Sequence, residues 1–385
     1  MNDKAVSIIA IILSVVLLVF IIWGITAIMS DGHGEQASDM MAEQTMKPTT
    51  ESTTETTTES TTEPTTEPTT EVTTEQVTET NTEELTVADD VAAPIFLTFA
   101  KNPTLKLGAG FDVNDYIGYA DDVDRTPELT VEGTVDTSVP GTYPLTLTLT
   151  DEAGHSTSQI MTVNVVSEIT PSSGGGGTKE EFDTFAANYK REDTVLGIDV
   201  SRWQESIDFY QVKNAGCDFV IIRIGGYDDG SQYEDRYFKT NIKNAKAAGL
   251  KVGIYWHAEE SSIAEIKSNV AYMMGILGGE ELDFPIAYDW EDFGGFQKYG
   301  MNLRDINICF EAFCDEVATY GYEACLYSSK NFLENVWTNE NDHLVWLAHY
   351  TNQTNYGGKY YMWQQGCTGR IAGISTDVDF NVLYN

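Results

Sequence analysis

Basic side chains are scarce in this chain of 385 residues: 22 Lys and Arg stand against 60 Asp and Glu, a formal net charge of −38. A nucleic-acid partner needs a basic face to neutralise phosphates, so that class is excluded. Histidine is also rare, with five copies, and His257, His343 and His349 stand at no spacing with Cys or Glu that makes a zinc site. The chain has no glycine-rich phosphate loop and no nucleophile elbow. No cofactor or metal is therefore expected. The five cysteines are odd in number. Cys217 and Cys325 fall in apolar strand patterns and Cys309 and Cys314 in a helical one, so these four read as buried thiols.

Charge vanishes altogether from residues 5–29, AVSIIAIILSVVLLVFIIWGITAIM. This run is long enough to span a hydrocarbon core of roughly 30 Å. A cleaved leader has a shorter apolar core, about 7–15 residues, and a small-residue cleavage site that this segment lacks. Residues 1–30 are thus expected to be a single transmembrane anchor, with the rest of the chain outside the cell. Residues 31–92 follow as a linker. Glu recurs every four residues from Glu51 to Glu83 in a Thr-rich background broken by Pro64 and Pro68. Threonine is a poor helix former and no apolar stripe exists to bury, so the segment reads as a disordered, self-repelling tether.

Period-two alternation begins near residue 93 and lasts to 167. PLTLTLTDEAGHSTSQIMTVNVV (144–166) is a hairpin pattern, two alternating runs about an Asp-Glu-Ala-Gly turn. Short strands over 93–167 imply a small all-β sandwich. The stretch GTVDTSVPGTYPLTLTLTDEAGHS (133–156) resembles the Ig-like modules of bacterial surface proteins. Such a module is expected as a rigid spacer or a weak glycan binder. Residues 168–192, containing four consecutive glycines, read as a flexible linker. A fragment starting near residue 190 is expected to fold on its own.

From residue 193 to 385 apolar strands alternate with amphipathic helices, which implies a parallel sheet closed into an irregular TIM-like (β/α) barrel. Eight strand patterns occur, at VLGIDVS, CDFVIIRIGG, LKVGIYWHA, FPIAYDWE, YEACLYSS, HLVWLAHY, KYYMWQQ and DVDFNVLYN, with less helix between the last of them. Chemistry in such barrels sits at one mouth, at the strand ends. Asp199, Asp289, Glu291 and Asp379 all fall there. Asp289 and Glu291, two residues apart, share a strand face. Burying carboxylates without partners costs several kcal/mol, so acids that end a core strand face water or do chemistry. Tyr255, Trp346, Tyr350 and Trp363 suit a sugar-stacking wall, and Arg223 suits an acid or a substrate group.

GIDVSRWQ (197–204), FPIAYDWE (284–291), VWLAHY (345–350), YMWQ (361–364) and GISTDVDFN (373–381) together resemble the glycoside hydrolase family 25 lysozymes, in that family's order. The resemblance implies an N-acetylmuramidase that cleaves peptidoglycan, with Glu291 as the catalytic acid and Asp289, Asp199 and Asp379 as its carboxylate partners. It also implies an acetamido-assisted reaction, beside which a conventional carboxylate pair with a water nucleophile stays open. The chain departs from the family's pattern at Tyr255-Trp256-His257 and at Cys367. Two other readings stand beside this one. A non-catalytic wall-glycan binder would keep the barrel without its acids. A chitinase-like enzyme would carry Asp-x-x-Asp-x-Asp-x-Glu, but Phe284 and Ala287 occupy the first two acidic positions. The chain is expected as a monomer.

Overall fold

The computed structural model describes residues 86–87, 90–169, 179–339 and 341–384. The anchor expected at 1–30 and nearly all of the tether at 31–92 lie outside the described residues. Among the described residues no helix is long and apolar enough to cross a membrane.

The first unit is the β-sandwich the alternation implied. β1 (Ile95–Phe99) pairs antiparallel with β3 (Ile117–Ala120). A second sheet has the order β2 (Thr104–Lys106), β6 (Ser156–Val166), β5 (Gly141–Thr150), β4 (Glu128–Glu132). The expected hairpin is β5–β6, in register from Gly141↔Val165 to Thr150↔Ser156. Leu145 and Leu147 of β5 and Met161 and Val163 of β6 point inward with Leu105 and Ile117 to form its core.

The second unit is a barrel. Its strands are β7 (Thr194–Val200), β8 (Phe219–Asp228), β10 (Lys251–Ala258), β11 (Ile286–Trp290), β12 (Ala324–Ser329), β13 (Leu344–Ala348), β14 (Met362–Gly369) and β15 (Val378–Tyr384). A short β9 (Ser231–Glu234) hairpins back onto β8. Pairing of β8 with both β7 and β10 closes the ring. The sheet is not wholly parallel, as the alternation had implied. β15 runs antiparallel to both β14 and β7. An antiparallel strand needs no crossover helix, and none stands between β14 and β15; the parallel step from β13 to β14 also runs without one.

Long helices cover the parallel part. α4 (Ile263–Leu277) starts at a Ser262 cap and ends at Gly278 in the left-handed conformation. α5 (Leu303–Thr319) opens on an Asn302–Asp305 capping box and buries Ile306, Phe310, Phe313 and Val317. The antiparallel strands receive their cover from upstream. α1 (Phe182–Tyr189) lays Phe182 and Phe185 against Phe380, with ring centroids 5.2 and 4.8 Å apart. The linker expected over 168–192 therefore ends earlier. Residues 180–192 belong to the barrel because Phe182 and Phe185 fill a gap left by the missing crossover helix, and Phe182 N–H donates to Arg370 O at 2.8 Å. A fragment starting near residue 190 lacks this cover.

The glycine run at 174–177 lies outside the described residues, and the two units touch directly. Leu97 and Ala120 of the sandwich lie in the barrel's own core cluster. β3 packs on the 3-10 turn Phe293–Tyr299, so closely that a Cβ at Gly118 would collide with the Phe293 carbonyl. Leu303 N–H donates to Asp121 O at 2.8 Å and Asn302 Nδ2 to Val123 O at 2.7 Å. Arg125 makes a two-pronged ion pair with Asp305 at 2.6 and 3.0 Å. The sandwich expected as a rigid spacer thus sits directly on the barrel.

Phe185→Ala, which empties a fully buried site on α1, is expected to lower unfolding stability by about 3–5 kcal/mol. Urea unfolding of the variant against the parent chain measures this.

Candidate active site

The sequence FPIAYDWE alternates its destinations. Ile286, Tyr288 and Trp290 point out of the barrel into the helix layer, where Tyr288 meets Phe310 and Phe313 at 5.8 and 4.8 Å. Ala287 points inward, and Asp289 and Glu291 rise on that inner face into a cleft at the barrel mouth. The cleft's empty volume is about 930 Å³. Asp199, Asp379, Arg223, Tyr255, Trp346 and Tyr350 also line it. Asp289 is buried and Glu291 half-buried.

The reversal of β15 explains how Asp379 arrives here. Asp379 stands at the start of its strand, whereas Asp199 stands near the end of β7. Because the two strands are antiparallel, the residues pair directly, Asp379↔Asp199. Asp199 is then ringed by donors: Gln364 Nε2 at 2.9 Å and Asn381 Nδ2 at 2.7 Å both reach its Oδ2. Burial still pushes Asp199 up to about 6, against the lowering effect of those donors and of a hydrogen bond from Asp379. Asp379 is held well above the carboxylate range by burial first, then by the charges of Asp199 and Glu291. Two like-charged acids in a low dielectric cannot both ionise. The pair therefore carries a proton, which sits on Asp379 and is shared toward Asp199.

The wall of the cleft is an aromatic and amide network. Gln364 Oε1 accepts from Tyr327 OH and Tyr350 OH, both at 2.8 Å. Trp346 Nε1 donates to Asn381 Oδ1 at 2.8 Å, and its ring meets Tyr327 edge-on at 4.7 Å. Trp346 is only 2% exposed, so it serves as floor more than as an open stacking face. Arg223 Nε is 3.1 Å from Asp235 Oδ2 in a buried ion pair, which fixes its guanidinium beside the cleft. Asp235 also accepts the backbone N–H of Arg202 at 2.7 Å, tying the turn after β7 to the same pair.

Trp363 does not reach the cleft. Its neighbours on β14 alternate, with Met362 and Gln364 inward and Trp363 outward. There its indole donates to His349 O at 2.8 Å and its ring meets Tyr189 of α1 edge-on. The run KYYMWQQ is aromatic on both faces, so its composition hid the alternation. Conversely, Trp203 lines the cleft rim at 51% exposure with Arg202 stacked 5.0 Å from its ring. It sits in the 3-10 turn Arg202–Gln204, which has no periodicity to point it out. Its presence in GIDVSRWQ was the available signal. Gln364, Asn381 and Tyr327 also escaped sequence reasoning as site residues, and Cys367, noted there only as a departure, lines the cleft. All five cysteines are free thiols; Cys217, Cys309, Cys314 and Cys325 are buried, as expected.

Residues 198–374 match the family model described as glycosyl hydrolases family 25, and residues 95–165 match that of the bacterial surface protein Ig-like domain. The chain is 28% identical over 189 residues to the autolytic lysozyme of Clostridium acetobutylicum, covering 49% of this chain and 55% of that protein. It thus spans about half the length of that relative. It is 29% identical over 200 residues to lysozyme M1 of Streptomyces globisporus, covering 49% of this chain and 67% of that protein. Among solved structures, the bacterial lysozyme of Streptomyces coelicolor is similar at 25% identity, with a TM-score of 0.42 over 51% of this chain and 94% of the other. Residues 198–374 thus form a carboxylate-lined barrel similar to the glycosyl hydrolases family 25, seated beside a sandwich similar to the bacterial surface protein Ig-like domain.

Proposed function

We propose that the barrel is a muramidase, which hydrolyses the β-1,4 bond between N-acetylmuramic acid and N-acetylglucosamine in peptidoglycan. The observation that carries this reading is the convergence of Asp199, Asp289, Glu291 and Asp379 on one cleft in a domain that has two named lysozymes among its relatives.

Glu291 is the general acid. It follows the last residue of β11, is half-buried, and stands near enough to Asp379 that its charge raises that group. Half-buried at the cleft mouth, it is placed to deliver a proton to a leaving oxygen. Asp289, one step deeper on the same face, supplies the negative charge that orients and stabilises the substrate's acetamido group as it attacks the anomeric carbon. The Asp379–Asp199 pair, sharing one proton, adds one negative charge to the cleft beside them rather than two. Trp203 offers an exposed ring for a sugar face, and Tyr255 and Tyr350 complete the wall. The polymer enters from the wall side, with the protein held as a single-pass membrane protein by residues 5–29. A monomer suffices, since the cleft is built from one chain.

Glu291→Gln keeps the size of the side chain but removes the proton. Turnover on purified cell walls, followed by loss of turbidity, is expected to fall by about 10²–10⁴-fold. Asp289→Asn is expected to lose much of its activity as well, and circular dichroism should show both variants folded. Near-normal lysis by folded Glu291→Gln contradicts the assignment.

The raised Asp199 gives stability a pH dependence. Its folded value of about 6 lies above the ordinary carboxylate range. The folded chain therefore binds more protons than the unfolded one between about pH 4 and 6. Stability from this group is full below that window and is lost as pH rises through 6. Relative to Asp199→Asn, the parent chain should lose up to about 1.4 kcal/mol per pH unit there. Urea unfolding of both proteins from pH 4 to 7 tests the sign.

Membrane attachment is checked separately. Fractionated cells should hold the barrel in the membrane pellet, and external protease should release it once the wall is permeable. A freely secreted form starting near residue 30 contradicts the anchor.

A further inference from the structure

We propose that the Ig-like domain holds a divalent cation, of the hard, oxygen-preferring kind exemplified by Ca²⁺, between Asp90, Asp121, Asp122 and Asp151. These acids come from three places: the entry to the domain, the loop after β3, and the turn of the β5–β6 hairpin. Two triads share Asp90. In one, ligand atoms of Asp90, Asp121 and Asp122 lie within 4.8 Å of one another; in the other, those of Asp90, Asp151 and His155 do. Ligands on opposite sides of a cation bound at about 2.4 Å are about 4.8 Å apart, so these spacings suit a shared coordination sphere.

A cluster of surface acids would carry no such meaning, but this one is buried. Asp90, Asp121 and Asp151 are 6%, 1% and 6% exposed. Their unused oxygens are the telling feature. Asp121 Oδ1 accepts two backbone N–H groups, from Val123 at 2.9 Å and Asp124 at 2.7 Å. Its Oδ2, together with Asp90 Oδ1 and Asp122 Oδ1, is buried and has no hydrogen-bond donor. Buried carboxylate oxygens without donors are strongly disfavoured unless a cation meets them. Burial and mutual repulsion raise Asp90, Asp121 and Asp122 above the ordinary carboxylate range, as expected of acids crowded without a counter-ion.

The basic group at the cluster is His155. Its Nδ1 is 3.1 Å from Asp151 Oδ2 and 3.7 Å from Asp90 Oδ1, and its backbone N–H donates to Asp151 Oδ1 at 2.9 Å. His155 thereby orients Asp151, leaving an all-oxygen donor set. That set favours Ca²⁺ over Zn²⁺, which would recruit the imidazole. No motif in the sequence announces such a site, because its ligands are gathered by tertiary structure alone.

The location gives the site a consequence. The Asp121 carbonyl receives the Leu303 N–H at the start of α5, and Val123 and Arg125 of the same loop hold Asn302 and Asp305. A cation that fixes this loop therefore fixes the junction between sandwich and barrel.

The full chain, stripped with EDTA, is titrated with CaCl₂ while thermal unfolding is followed. Saturating Ca²⁺ is expected to raise the Tm by about 3–8 °C. The double variant Asp121→Asn/Asp122→Asn relieves repulsion and keeps the backbone acceptor. In EDTA it should be at least as stable as the parent chain, and it should lose the Ca²⁺ response. Three results overturn the proposal: a parent chain indifferent to millimolar Ca²⁺, a Ca²⁺ response that survives in the double variant, or a preference for Zn²⁺ that disappears in His155→Gln.

Discussion

The antiparallel pairing of the last barrel strand with the first is the constraint on which the site depends. It sets Asp379 opposite Asp199 and forces two buried carboxyls to share a proton. The donors around them, Gln364 and Asn381, are themselves held by Tyr327, Tyr350 and Trp346. One backbone register thus fixes the protonation state, the amide network and the aromatic floor of the cleft together. A parallel final strand would carry Asp379 to the opposite end of the barrel and strip Asp199 of its hydrogen bond from Asp379.

The reversed strand has a structural debt that the rest of the chain settles. Without a crossover helix, Trp363 and Phe380 would face water. α1, built from residues just before the barrel, supplies Phe185 and Tyr189 as cover. On the far side, the Ig-like domain supports the turn that follows Glu291. Phe293 stacks on Phe332 and lies under β3, where only a glycine at 118 leaves room. The segment after β11 is therefore wedged between the two domains, which limits how far Glu291, the proposed acid, can move. Small displacements of a catalytic group are costly to rate.

Much of this was legible in the sequence, for a physical reason. Strands buried on both faces read as apolar runs, and an acid that interrupts such a run at its end stands out, as Asp199, Asp289, Glu291 and Asp379 do. The hairpin at β5–β6 was equally plain, because period-two alternation about an Asp-Glu-Ala-Gly turn has few other solutions. Strand direction was not legible: a buried run looks the same parallel or antiparallel, so the reversal of β15 could not be read. Trp363 misled because its strand is apolar on both faces. Trp203 was overlooked in a turn without periodicity. The helix at 182–189 was lost beside a glycine run, and the docking of the two domains rests on Leu97, Gly118 and Ala120, which look like ordinary sandwich residues. The Asp90, Asp121, Asp122 and Asp151 cluster spans 62 residues of sequence and has no spacing rule.

What the site is held to do is break one particular bond, with Glu291 as the acid. The chemistry of the new chain ends reports that most directly. Purified peptidoglycan is digested with the full chain, reduced with borohydride, and its soluble fragments are sequenced by mass spectrometry. The account predicts reduced N-acetylmuramic acid at the new ends, and none above background with Glu291→Gln. Reduced N-acetylglucosamine at those ends, or muramic ends produced equally by the variant, would contradict it.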